Sequence, residues 1–293
     1  MRRLSLIVAL ALLVPLPAAA HGGDHAHHWL TLDPWVWMPM AAALLLYLRG
    51  IRNLRARRSM LSAAHPAAIA CFLAGMAALA LALIWPLDAL SSISFAAHMG
   101  QHMVLIAAAA PLLVLASPAA PLRLGLGTSV RRLNRHLGFF HRTLHVLLRP
   151  GIAFVVHGIL VWAWHAPLLF EWALRLPWVH TLEHLCFLGS ALLFWAAMQE
   201  LARKPGGHGA CALWTLGTLM HTGLLGALLT FAPRPLYALG TQTALLTPLE
   251  DQQLAGLIMW IPGGFLYLFA GLAHAGMWLR EAAQPQAREA EPR

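Results

Sequence analysis

The sequence predicts an all-α fold: a polytopic membrane helix bundle with seven transmembrane helices after a cleaved signal peptide. Three observations predict it. The chain is 59% hydrophobic and only 11% charged, with a mean hydropathy of +0.66, far less charged surface than a soluble domain of this size carries. Several stretches run for about 20 residues almost without charge, the length that crosses a hydrocarbon core ~30 Å thick. The cations fall almost wholly in alternate loops, as the cytoplasmic loops of membrane proteins do.

Residues 1–20 read as a secretory signal peptide. Met1-Arg2-Arg3 is a basic start, Leu4 to Leu13 an apolar core, and Pro15, Pro17 and Ala18-Ala19-Ala20 a small-residue ending, the three parts that export signals share. Cleavage after Ala20 leaves His21 at the mature N-terminus; a retained anchor helix is the rival reading. Residues 21–33 then form a His-rich exported segment, 34–280 the seven-span domain and 281–293 a polar tail.

The spans are expected at 34–48, 66–87, 95–117, 151–166, 178–198, 211–231 and 254–279. The first and fourth are short and depend on flanking aromatic residues for their ends. Trp35, Trp37, Trp85, Trp162, Trp164, Trp178 and Trp278 fall near these boundaries, as interfacial aromatic belts do.

Loop charge sets the orientation. The loop 49–64 carries Arg49, Arg52, Arg55, Arg57 and Arg58. The loop 118–150 carries Arg123, Arg131, Arg132, Arg135, Arg142 and Arg149 without an acid, and Arg203 and Lys204 follow the fifth span. The intervening loops hold only Arg175 and Arg234 as cations. Positive loops stay inside, so the N-terminus is expected outside and the C-terminus in the cytoplasm. The excess of 20 Lys+Arg over 11 Asp+Glu therefore reflects topology, and no nucleic-acid partner is inferred.

Within the long basic loop, Leu133, Leu137, Phe140, Leu144 and Leu148 recur at helical spacing among Arg and His. That pattern fits an amphipathic helix on an anionic lipid surface. The tail from Ala282 is expected to be disordered. Cys71, Cys186 and Cys211 lie inside apolar spans without a C-x-x-C pairing, so they read as small buried hydrophobes.

Ionisable groups within a membrane are costly and face the bundle interior. Here they gather at one depth. The third span begins His98-Met99-Gly100-Gln101-His102-Met103, the fourth ends Trp164-His165-Ala166-Pro167, the fifth begins His180-Thr181-Leu182-Glu183-His184 and the seventh is preceded by Glu250-Asp251-Gln252-Gln253. Residues i and i+4 share a helix face, so His98 stands over His102 and His180 over His184. Imidazole suits copper, zinc and iron, and thioether adds preference for Cu(I). The candidate metal ligands are thus His98, His102, His165, His180, His184 and Asp251. Glu183 and Asp251 also suit the role of orienting a histidine through its second nitrogen, and Met99 and Met103 are further candidates. The flexible tract His21, His25, His27 and His28 suits capture of Cu(II) or Zn(II).

At these residues the chain resembles the CtaG family of cytochrome c oxidase assembly factors, the integral-membrane type associated with bacterial caa-type oxidases. The resemblance rests on His98-Met99-Gly100-Gln101-His102-Met103 with Ala110-Pro111-Leu112-Leu113, on Trp164-His165-Ala166-Pro167, and on His180-Thr181-Leu182-Glu183-His184 with Phe194-Trp195. It continues through Ala227-Leu228-Leu229-Thr230-Phe231, Pro235-Leu236-Tyr237 and the run from Asp251 to Gly264. It implies a multi-pass protein of the bacterial inner membrane that matures the oxidase by supplying copper to its subunits, with those subunits as partners and a periplasmic copper donor upstream. The N-terminal His tract is not part of the resemblance.

Other chemistries fit parts of the pattern. His180-x-x-Glu183-His184 matches the H-x-x-E-H arrangement of inverted zinc peptidases. His157 and His221, near mid-membrane in the fourth and sixth spans, suit a deeper site or transfer path, a haem iron held between two helices, or polar contacts between helices. An assembly scaffold without metal is a further reading. The expectation is a binding and delivery protein, not an enzyme.

Overall fold

The computed structural model describes residues 33–56, 65–127, 138–237 and 246–289, with the backbone alone at 138–141 and 284–289. Residues 1–20, expected to be a signal peptide, and the tract His21, His25, His27 and His28 lie outside the described residues, as do Leu133 and Leu137.

Helices joined by short turns make up the described residues, with no strand among them. In chain order the helices are α1 Pro34–Ala56, α2 Pro66–Leu83, α3 Leu87–Ser91, α4 Phe95–Met103, α5 Ala110–Leu115, α6 Ala119–Leu126, α7 Gly138–Leu147, α8 Pro150–Trp164, α9 Pro167–Arg175, α10 Pro177–Ala202, α11 Gly207–Thr230 and α12 Pro248–Glu289. Six stretches are long and apolar enough to cross a membrane: α1, α2 with α3, α4 through α5, α10, α11 and α12. A seventh forms if α8 and α9, bent by 70° at their junction, count as one broken span.

The fourth span is where expectation and structure part. α8 has 15 residues, about 22 Å at 1.5 Å per residue, which falls short of the hydrocarbon thickness. Pro167 cannot continue a helix, and a new helix starts there. α9 is amphipathic: Phe170 and Ala173 are buried while Leu168 and Trp172 are exposed.

Other ends differ as well. α1 continues through Arg49, Arg52 and Arg55 to Ala56, because arginine is a good helix former that extends its charge toward water. α12 starts six residues earlier than expected and runs on to Glu289, through residues expected to be disordered. α7 covers Phe140 and Leu144 of the amphipathic pattern, and Leu144 is buried, with buried Leu148 just beyond the helix. Trp164, expected in the aromatic belt, is buried, whereas Trp35, Trp37, Trp85, Trp178 and Trp278 are exposed.

The third span contains a defect with a chemical cause. Val104–Ala109 forms a π-helical turn between α4 and α5. The Ala110 N–H bonds to the Leu105 carbonyl, five residues back. In that register the next donor would serve the Ile106 carbonyl, but residue 111 is proline and has none. The Trp195 indole N–H from α10 fills the gap, donating to the Ile106 carbonyl at 3.3 Å. A buried carbonyl is thereby satisfied, and α4 is tied to α10, the helix bearing His180 and His184.

α11 and α12 cross closely. A Cβ on Gly256 would lie 2.6 Å from the Gly226 carbonyl oxygen, so only glycine permits the crossing. α11 also exposes Leu213, Leu216, Met220, Leu224 and Leu228, a stripe at helical spacing suited to acyl chains.

Candidate metal centre

The histidines expected to converge do so. His98 and His102 from α4, His180 and His184 from α10, and His165 just after α8 are brought together at one end of the bundle. His98, His102, His165 and His184 are buried, and Glu183 is fully buried among them. Ring centroids lie 4.4 Å apart for His98–His102, 5.1 Å for His98–His180, 4.2 Å for His180–His184 and 5.3 Å for His102–His184. The four rings close a quadrilateral. His165 packs on Phe187 at 5.8 Å, and His102 packs on the same ring at 4.5 Å.

Glu183 sits within this set. Its Oε2 is 3.6 Å from His98 Nε2 and 3.7 Å from His102 Nε2. The donor atoms of His98, His180 and Glu183 lie mutually within 4.8 Å, close enough to share one ion. The Nε2 atoms of His98, His102, His165, His180 and His184 and both oxygens of Glu183 are buried without a hydrogen-bond partner. Natural proteins rarely leave such atoms unpaired, and never cheaply. The His165 tautomer is defined: Nδ1 lies 2.6 Å from the Val161 carbonyl, which can only accept, so Nδ1 carries the proton and Nε2 presents its lone pair to the cluster.

An aromatic and polar cover surrounds the site. Phe170 of α9 meets His98 edge-on at 5.3 Å, and Tyr237 meets Phe95 at 5.1 Å and Phe170 at 4.7 Å. Tyr237 donates its hydroxyl to the His165 carbonyl at 2.9 Å. Gln252 of α12 holds the same strap, accepting from the Leu236 N–H at 2.6 Å and donating to the Leu229 carbonyl at 3.3 Å.

Asp251 does not join the imidazoles. Its Oδ2 accepts from the Phe95 N–H at 2.7 Å, and its Oδ1 accepts from the Ala96 N–H and the Ser94 hydroxyl, each at 2.9 Å. Both oxygens therefore close the N-terminus of α4, where unpaired N–H groups and the helix dipole attract an anion. The expectation of a ligand at Asp251 is corrected to a helix cap. Met99 is fully buried in the apolar core, and Met103 packs against Gly263 of α12, where an added Cβ would lie 2.8 Å from its sulfur.

Deeper in the bundle, His157 has both ring nitrogens engaged, Nδ1 with Ser190 Oγ at 3.0 Å and Nε2 with Tyr267 Oη at 3.2 Å. It is a bridge between α8, α10 and α12, not a free haem ligand. His221 lies over Phe154 and beside Gly158. At the opposite end of the bundle, His208 and His274, to which the sequence suggested no role, meet Nδ1 to Nδ1 at 3.0 Å, with Glu281 3.5 Å from His208 Nε2.

Signals in the sequence pointed unevenly to these partners. Glu183 stands at i+3 from His180 on the same face, so its centrality was foreshadowed. The anchoring of α4 by Asp251, the Tyr237 strap and the Ser190–His157–Tyr267 bridge all join distant segments.

Fold and site together define a polytopic helical membrane protein with a pocket of imidazoles and one carboxylate buried between its helices. Residues 45–281 match the cytochrome c oxidase caa3 assembly factors (Caa3_CtaG), and the chain belongs to this family. No curated protein and no solved structure matches it.

Proposed function

We propose that this oxidase assembly factor binds copper at the cluster of His98, His102, His165, His180, His184 and Glu183 and delivers it to oxidase subunits. One observation carries the reading: five imidazole nitrogens and two carboxylate oxygens converge from three helices, buried and unpaired. Each such atom costs about 1–3 kcal/mol if nothing binds it, and a cation is the species that both neutralises Glu183 and accepts imidazole lone pairs. His165, oriented by the Val161 carbonyl, has the ligand-plus-orienter arrangement that metal-binding histidines use.

The cluster faces the periplasm in this reading. Arg49, Arg52, Arg55, Arg142, Arg149, Arg203 and Lys204 belong to helix ends opposite the histidines, and cationic ends remain cytoplasmic. Copper arrives from a periplasmic donor, with the N-terminal His tract as a capture segment, and leaves by ligand exchange to a docked oxidase subunit. Hydrolysis at His180-x-x-Glu183-His184 is disfavoured because Glu183 is fully buried, beyond the reach of a peptide chain.

The test is the copper content of the purified full chain and of His102→Ala and His184→Ala. The expected result is bound copper in the parent and an affinity lowered by about 10–100-fold or more in each variant, at least the loss seen when metal-site support is removed. In cells, deleting the gene should lower the copper content of the oxidase. A metal-free parent protein, or a fully copper-loaded oxidase in the deletion strain, overturns the reading.

A further inference from the structure

We infer that the end of the bundle opposite the histidine cluster binds one anionic phospholipid, its phosphate held by His145, Arg149 and Lys204.

The three basic residues come from separate places in the chain. His145 lies on α7, Arg149 between α7 and α8, and Lys204 just past the end of α10. The fold brings them to the wall of one open cavity of about 100 Å³. That volume is several times the ~10–15 Å³ that one water needs. It suits a tetrahedral anion and not a whole lipid. Leu148 and Ala197, both buried, line the same cavity, so an apolar floor meets a basic rim. Glu200, on that rim, is about 24 Å along α10 from His184 at 1.5 Å per residue. The cavity is therefore distinct from the copper site.

Its charge is unbalanced. Glu200 is the one acid among the residues lining the cavity, and it is already bound to Arg203 at 2.8 Å. Arg149 and Lys204 form no ion pair among the described residues. Arg149 also precedes α8 without giving its first turn a side-chain hydrogen bond, so the helix dipole adds to the same positive field. A guanidinium and an ammonium without a counter-charge select an anion, and both are phosphate binders.

The surroundings favour a lipid over a soluble phosphate. α8 exposes Val155 and Ile159, about 9 and 15 Å from Arg149 along the helix axis. Apolar surface for acyl chains thus lies on the helix that begins at the phosphate site. Basic pockets between membrane helices take anionic headgroups in this way.

The test uses the full chain in neutral detergent, titrated with phosphatidylglycerol or phosphatidylcholine and read by native mass spectrometry and thermal midpoint. One phosphatidylglycerol per chain is expected in preference to phosphatidylcholine, with a midpoint raised by the anionic lipid alone. Arg149→Gln with Lys204→Gln should weaken that binding about 30-fold, each cation contributing roughly a factor of five. Arg52→Gln with Arg55→Gln removes two exposed cations of α1 outside the cavity and should leave binding unchanged. The lipid preference of the unsubstituted chain is read without any variant. Equal binding of the two lipids, or equal losses in the two double variants, would mean diffuse surface charge and overturn the inference. Inorganic phosphate that raises the midpoint as far as phosphatidylglycerol does would overturn the lipid assignment.

Discussion

The Asp251 carboxylate of α12 accepts a hydrogen bond from the Phe95 N–H at 2.7 Å, joining the start of the last helix to the start of the helix that carries His98 and His102. A second oxygen takes the Ala96 N–H and the Ser94 hydroxyl, while Ser94 Oγ also accepts from the Ala97 N–H at 3.2 Å. The Phe95 and Ala96 donors of α4's first turn are thereby satisfied from 156 and 155 residues away in sequence. The depth and rotation of α4, and hence the aim of two imidazoles, depend on a residue that touches none of them.

Asp251→Ala is therefore expected to act as a remote lesion of the metal site. It leaves buried N–H groups unpaired, at a cost of about 1–3 kcal/mol, and frees α4 to shift. Thermal denaturation in detergent should show a lower midpoint, and copper titration a weaker site, although no imidazole has been altered. Asp251→Asn, which keeps an acceptor oxygen, should recover part of both. Full affinity in Asp251→Ala would show that α12 does not position α4.

His157 gives the opposite expectation. Its nitrogens bridge Ser190 and Tyr267, so His157→Phe should lower stability by about 1–3 kcal/mol through the polar groups it strands while the copper stoichiometry stays at the parent value. Metal loss in this variant would make His157 part of the binding path.

Sequence reasoning succeeded where periodicity and solvation decide the answer. Apolar length foretold the spans, and i, i+4 spacing foretold that His98 with His102 and His180 with His184 would share faces, because these are properties of a single helix in lipid. It failed where partners come from elsewhere in the chain. Asp251 looked like a ligand beside an apolar span, and nothing local indicates that its neighbour in space is the Phe95 amide. The break at Pro167 was hidden because an apolar, aromatic run reads alike as a membrane span and as a short interfacial helix. Glu183, given less weight than Asp251, lies between four rings because the pairing of α4 with α10 depends on contacts such as that of Trp195 with Ile106.

That contact supports a prediction about the π-helical turn. Trp195→Phe removes the donor to the Ile106 carbonyl, with an expected loss of about 1–3 kcal/mol for a buried carbonyl left unpaired. Pro111→Ala restores a backbone N–H in the register that can serve the same carbonyl. The loss caused by Trp195→Phe should then be smaller in the Pro111→Ala background, and a double-mutant cycle measures the difference. Strictly additive effects would separate the indole from the helix defect.

The α11–α12 crossing offers a matched pair of substitutions. In Gly256→Ala the new Cβ would lie 2.6 Å from both the Gly226 carbonyl oxygen and the Thr230 N, with Thr230 Oγ1 2.5 Å away. Two of these neighbours are backbone atoms, so relief requires α12 to move off α11 rather than a side chain to rotate. Because Asp251 and Gln252 lie near the start of α12, that movement should loosen the α4 cap and the Tyr237 strap together, reducing both the thermal midpoint and copper affinity. Gly100→Ala supplies the contrast: it lies between His98 and His102, yet an added Cβ meets no atom within 4 Å. There, alanine's higher helix propensity should leave stability equal or raise it by up to about 1 kcal/mol, with copper binding retained. If Gly100→Ala proves the more damaging of the two, the pocket is governed by crowding within α4 and not by the seating of α12.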